Sequence, residues 1–150
     1  MEYCGTFASA KEFAEAGRLE DWVHLYLHAE GDNVPFSDGL KKVPRSFFGL
    51  TEMPIALFTR ICGPEEGMRW PVDAGGFERI VNELMDALRS GRDVPPMIIK
   101  YEAGEFELND GNHRHEACVR AGVKTFPTII WITEDADRDD FLARYSEYLL

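Results

Sequence analysis

Phe106-Glu-Leu-Asn-Asp-Gly-Asn-His-Arg-His-Glu-Ala117 is the stretch on which the reading of this chain turns. Phe106 and Leu108 alternate with Glu105 and Glu107, the period of two that marks a half-buried strand. Asn109-Asp-Gly-Asn112 then gathers residue types that accept positive φ and bond to nearby backbone, so a tight turn is expected. The spacing beyond it predicts a helix with His113, Ala117 and Ala121 on one face, Cys118 beside them and Gly122 as its stop. The first amides of such a helix have no internal acceptor, and its dipole makes that end electropositive. Arg114 adds a planar, always-charged fork at the same place. Together these make a seat for an anion, and phosphate suits it. On spacing alone the alternative is an ordinary strand–turn–helix junction, in which Asp or Asn only caps the helix. The glycine content is too low for a P-loop or a dinucleotide fingerprint.

Asp110-Gly-Asn-His-Arg-His-Glu-Ala117, with Ala121-Gly122, Lys124-Thr125 and Pro127-Thr-Ile-Ile-Trp131 after it, resembles the motif of the ParB/sulfiredoxin superfamily, including its ParB-like nuclease domains. ParB members carry a Gly-Glu-Arg-Arg box here, sulfiredoxins Gly-Gly-Cys-His-Arg, and the superfamily's free serine kinases Asp-Gly-His-His-Arg. The resemblance spans roughly residues 52 to 132 and is strong over 108 to 131. It implies an α+β fold: a small mixed sheet with flanking helices. It also implies a loop, Gly111, Asn112, His113 and Arg114, that holds the phosphates of ATP or CTP with Mg²⁺. The same resemblance excludes some chemistry. Asn112 stands where sulfiredoxins place their catalytic cysteine, and Cys118 lies six residues further on, so sulfinic acid reduction is not expected. Only about twenty residues follow the last expected strand, too few for the helix-turn-helix domain of a ParB partition protein.

Composition bounds the remaining possibilities. One hundred and fifty residues suit a single domain. Twenty-seven acids against 16 bases give a formal charge of −11. Such a surface repels a polyanion, and no run of Lys and Arg offers a compact basic patch, so general DNA binding is not expected. Cys4, Cys62 and Cys118 are odd in number and far apart, which fits neither a zinc ribbon nor a dithiol redox site but does fit a reducing cytoplasm. No signal peptide is evident, and no apolar run approaches the roughly 20 residues of a membrane span.

Outward from the central stretch, Ser9-Ala-Lys-Glu12 has capping-box spacing and predicts a short helix ending near Gly17. Leu19, Trp22, Val23, Tyr26 and Leu27 predict a second, stopped by Gly31, with His24 and His28 as an exposed pair. Residues 31–50 read as a loop-rich connector between a helical extension (1–50) and the core (51–133). Residues 54–59 read as a strand or short helix. Phe77, Ile80, Val81, Leu84, Met85 and Leu88 predict an amphipathic helix ended by Ser90-Gly91 and barred by Pro95-Pro96. Strands are expected over 97–101 and 105–108, joined by Ala103-Gly104, and over 126–132; a last helix occupies 134–150.

Several side chains carry candidate chemistry. Asp110 and His113 are placed for proton transfer, with Asp110 alternatively a cap or an orienting group. In ParB/sulfiredoxin-like folds the 62–71 segment comes close to the nucleotide loop, so Glu65 or Glu66 would serve as general base or hold Mg²⁺ through water, and Arg69 would reach a phosphate. A plain surface turn is the competing account of all three. The functional readings left standing are a nucleotide-binding phosphotransferase or phosphohydrolase, a ParB-like nucleic-acid-processing protein, and a non-catalytic module that binds a protein partner or its own copy.

Overall fold

The computed structural model describes residues 1–149. Helices α1 (Phe7–Glu15), α2 (Leu19–His28) and α3 (Val34–Leu40) come first, then strand β1 (Ser46–Pro54), a 3-10 turn and β2 (Phe58–Arg60). Two very short strands, β3 (Cys62–Gly63) and β4 (Trp70–Pro71), lead into α4 (Ala74–Arg89). The hairpin β5 (Met97–Glu102) and β6 (Glu105–Asp110) follows, then α5 (Asn112–Ala121), β7 (Thr125–Ile132) and α6 (Asp135–Tyr145). The helix expected over 134–150 is thus α6 and the 3-10 turn behind it, its last position lying outside the described residues.

Five strands make one mixed sheet in the order β1-β7-β5-β6-β2. β5 lies at its centre, antiparallel to β6 and parallel to β7, while β1 runs antiparallel to β7 and β2 parallel to β6. The β5–β6 turn is tight because Ala103 (φ 50°) and Gly104 (φ 79°) both take the left-handed region, as a two-residue hairpin turn matched to strand twist requires. The fold is α+β, a mixed sheet flanked by helices.

Each face of the sheet has its own core. Ile98, Ile129 and Trp131 point to one face and meet Trp22, Val23 and Leu27 of α2 with Ala10 and Phe13 of α1. Their neighbours Ile99, Ile130 and Ile132 point to the other, packing with Tyr101, Phe106 and Phe141 of α6. The second half of β7 is buried on both faces, which is why Ile129-Ile-Trp-Ile132 is a continuous apolar run rather than an alternation. A third cluster, Phe77, Val81 and Ala117, joins α4 to α5. No helix among the described residues is long and apolar enough to cross a membrane.

The structure corrects the expected helix bounds and the connector. Thr6, not Ser9, caps α1 by accepting from the Ser9 amide, while the Ser9 hydroxyl accepts from the Cys4 amide. α2 stops at His28, three residues before Gly31, with Asp32 taking positive φ. His24 is half-buried rather than exposed, its Nδ1 2.7 Å from the Ser37 hydroxyl. Much of the expected connector is ordered: Asn33 caps α3, and residues 46–50 already belong to β1, so the boundary expected at 50 falls inside a strand. Docking decides these helices more than propensity does. The five buried side chains of α2 remove apolar surface worth about 10 kcal/mol gross, against a ten-residue helix that is marginal alone.

Candidate functional site

β6 runs on through Asn109 and Asp110, so the turn expected over 109–112 contracts to Gly111. Gly111 has φ 107°, and a Cβ there would come within 2.9 Å of Met97 Cγ and 3.1 Å of Arg114 Nη2. Only glycine fits both constraints. The first bond of α5 runs from the His115 amide to the Gly111 carbonyl at 2.8 Å, leaving the amides of Asn112, His113 and Arg114 with no acceptor inside the helix. The expected helix start is therefore present.

It opens onto a cavity of about 790 Å³. Asp110, Gly111, Asn112, His113 and Arg114 line one side; Ile61, Cys62, Arg69 and Trp70 line another. The remaining wall comes from the end of α2 and the start of α3, through Tyr26, Glu30, Asn33 and Phe36. A volume of this order suits a nucleotide-sized ligand. Glu65 and Glu66, the expected bases, are not among the lining residues; Glu65 instead forms an ion pair with Arg60, whose hydrogen bond holds its carboxyl below the usual range.

Arg114 is not free to swing toward a ligand. Only 12% of its side chain is exposed, and Nη2 donates to Asp110 Oδ2 at 2.7 Å and to the Pro96 carbonyl at 3.3 Å. Tyr26 of α2 lines the same cavity, its hydroxyl pushed up to about 12 chiefly by burial. Burial works against the guanidinium charge, but Asp110 and Tyr26 more than restore it, so Arg114 is held above its ordinary value. Its Nε is buried with no partner. Asp110 is accordingly neither a cap nor an unengaged proton acceptor: it makes no capping bond and is the counter-ion of Arg114.

Asn112 departs furthest from its expected role. Its Oδ1 accepts from the amides of Ile61 (3.0 Å) and Cys62 (3.2 Å), and its Nδ2 donates to the Leu108 carbonyl at 3.2 Å. The side chain ties the 61–62 segment to the start of α5, and only its backbone amide remains for a ligand. His113 faces the cavity with its ring 4.9 Å from that of Phe77. Burial first, then Arg114 and Arg60, lower its pKa, so the imidazole is neutral near pH 7. Arg69 lines the cavity while gripping Glu107 through two bonds of 3.0 and 2.9 Å. Trp70 is 61% exposed and lines the same space.

The sequence reading missed Tyr26, Glu30 and Phe36. Tyr26 sits on the apolar stripe of α2 and reads as core, and no local spacing links residue 26 to residue 110. No group of three or more His, Cys, Asp or Glu side chains among the described residues is arranged to hold a metal ion. The expected Mg²⁺ therefore has no protein cage, and any such ion would arrive on the phosphates of a ligand.

No family model and no curated protein sequence matches the chain. Among solved structures it is similar to sulfiredoxin from Arabidopsis thaliana, with 26% identity over 55% of this chain and 83% of that one and a TM-score of 0.43. It is also similar to the C-terminally truncated chromosome-partitioning protein ParB from Caulobacter crescentus complexed with CTP-gamma-S, with 20% identity, 65% of this chain, 53% of that one and a TM-score of 0.45. The same ParB complexed to the centromeric parS site gives 24% identity, 57% and 41% coverage and a TM-score of 0.37. The chain thus spans about half the length of these ParB chains. These are the families that the 108–131 stretch resembles. At such TM-scores the overlap says nothing of ligands, and what the cavity holds follows from its own side chains.

Proposed function

We propose that this protein binds a nucleotide in the cavity at the start of α5, with the phosphates on the amides of Asn112, His113 and Arg114 and the base toward Trp70. The observation that carries the reading is the open N-terminus of α5, with its unbonded amides, forming one side of a nucleotide-sized cavity. Arg114 supports the site from below as a fixed positive charge. Arg69, on the surface side, is the cation able to turn from Glu107 to a phosphate. The exposed indole of Trp70 offers a face for stacking. ATP and CTP are the forms that the motif resemblance implies, with Mg²⁺ carried on their phosphates.

Binding, rather than phosphoryl transfer, is the function supported. A transfer reaction needs a base beside the phosphates, and Glu65 is paired with Arg60 outside the cavity lining while Asp110 is clamped by Arg114. His113 is the neutral group left in position. A reducing, cytoplasmic setting accords with three unpaired cysteines.

The test is a thermal-shift series with nucleoside triphosphates and with pyrophosphate, each with and without Mg²⁺. A ligand at 100 times its Kd stabilises by about 2.7 kcal/mol, well within reach of the method. Arg69→Ala is expected to weaken nucleotides and pyrophosphate alike, and Trp70→Ala to weaken nucleotides alone. Absence of a shift with every nucleotide overturns the reading.

A further inference from the structure

Of the charged side chains lining the cavity, Glu30 has no ion-pair partner among the described residues: Arg69 is engaged by Glu107 and Arg114 by Asp110. It is nevertheless held in place. The Tyr3 hydroxyl donates to Oε2, and Gly5 packs so closely that a Cβ there would meet Glu30 Cδ at 2.5 Å. Burial and Glu30 together keep the Tyr3 phenol protonated as a donor. Oε1 has no hydrogen-bond partner among the described residues, and Oε2 keeps a second lone pair. Glu30 lies four residues beyond Tyr26, and both line the cavity opposite Asp110 and Arg114.

We propose that this carboxylate selects a guanine nucleotide, accepting hydrogen bonds from the ring N1–H and the 2-amino group of the base. The inference rests on the nucleotide reading above and takes the base from the cavity's own side chains, where the motif resemblance implies adenine or cytosine. A carboxylate offers two acceptors side by side and no donor. Guanine presents two adjacent donors on one edge, the fit that makes bidentate pairing strong. Adenine and cytosine present one amino donor next to a bare ring nitrogen, whose lone pair repels the second carboxylate oxygen. Uracil presents one N–H between two carbonyls, which repel both oxygens. Glu30 is exposed in the free protein, and once a base covers it, an acceptor left facing another acceptor has lost its water without a replacement, so the wrong base is rejected as well as the right one held. Phe36 and the exposed Trp70 line the same cavity and give the purine ring a stacking surface.

The experiment is calorimetric titration of the full chain with GTP, ITP, ATP, CTP and UTP under one Mg²⁺ concentration. GTP is expected to bind at least tenfold more tightly than ATP, CTP or UTP. ITP, which lacks the 2-amino group, is expected to fall between. Glu30→Gln keeps the side-chain shape and an oxygen for Tyr3 but replaces one acceptor by a donor. It is expected to erase the GTP preference. Equal affinities for GTP, ITP and ATP overturn the guanine assignment and leave nucleotide binding intact, and so does a GTP preference that survives in Glu30→Gln. Binding of none of the five overturns both. The wild-type series needs no variant to fold.

Discussion

Arg114 shows how a single side chain changes role between sequence and structure. Its position in the first turn of α5 is as expected, but the guanidinium is the centre of a mostly buried group with Asp110, Tyr26 and the Pro96 carbonyl. Removing one partner from such a group leaves the other charge uncompensated. Asp110→Ala is expected to cost about 3 kcal/mol in urea unfolding, near the lower end for buried pairs because 16% of the Asp110 side chain stays exposed. Asn112 makes the parallel point: beside glycine at a turn it reads as a ligand-binding residue, yet it holds the Ile61 and Cys62 amides. The partners of Asn112 lie about fifty residues away and leave no mark on local spacing, whereas Asp110 and Arg114 stand at the i,i+4 spacing of an ion pair, a signal that the phosphate reading passed over.

At the scale of elements, patterns with a clean period were legible. The α4 stripe, the β5–β6 hairpin with its Ala103-Gly104 turn and the α5 stop at Gly122 all appear where the spacing put them. What failed were short elements held by distant contacts, such as α3, whose seven residues include Pro35 and Gly39 and read as loop. The α5 helix itself carries a pH response. Burial lowers the pKa of both His113 and His115, and His115 is fixed by Nε2 lying 2.9 Å from the Ile55 carbonyl while its Nδ1 is buried without a partner. The unfolded chain therefore takes up protons near pH 6.5 that the native helix refuses. Stability from these groups is complete above about pH 6.5 and is lost as pH falls through the lower native values. Denaturant midpoints measured at pH 7.5, 6.5 and 5.5 are expected to fall in that order, and His115→Gln to flatten the fall. A midpoint that rises on acidification reverses the sign of the burial effect.

For the molecule as a whole, the N-terminal helices are a wall of the cavity and half of the core. The composition, which offered one modest domain and a formal charge of −11, gave no hint of this. A version lacking residues 1–43 strips α1, α2 and α3 from Ile98, Ile129 and Trp131. It is expected to lose cooperative unfolding and to aggregate in size-exclusion chromatography, since one face of the sheet would lie bare. The acidic surface predicts no retention of duplex DNA in filter binding even at low salt, and salt-dependent retention would reveal a basic patch that the charge balance hides. The sheet order has one more consequence. Among the named strands β1 pairs with β7 alone, and α2 rests on residues 98, 129 and 131, so segments far apart in the sequence close on each other. During synthesis the aromatic side of α2 thus waits, uncovered, until residues 129 and 131 have emerged, about one hundred residues after α2 itself. Such late closure makes the nascent chain, rather than the finished protein, the form most in need of a chaperone.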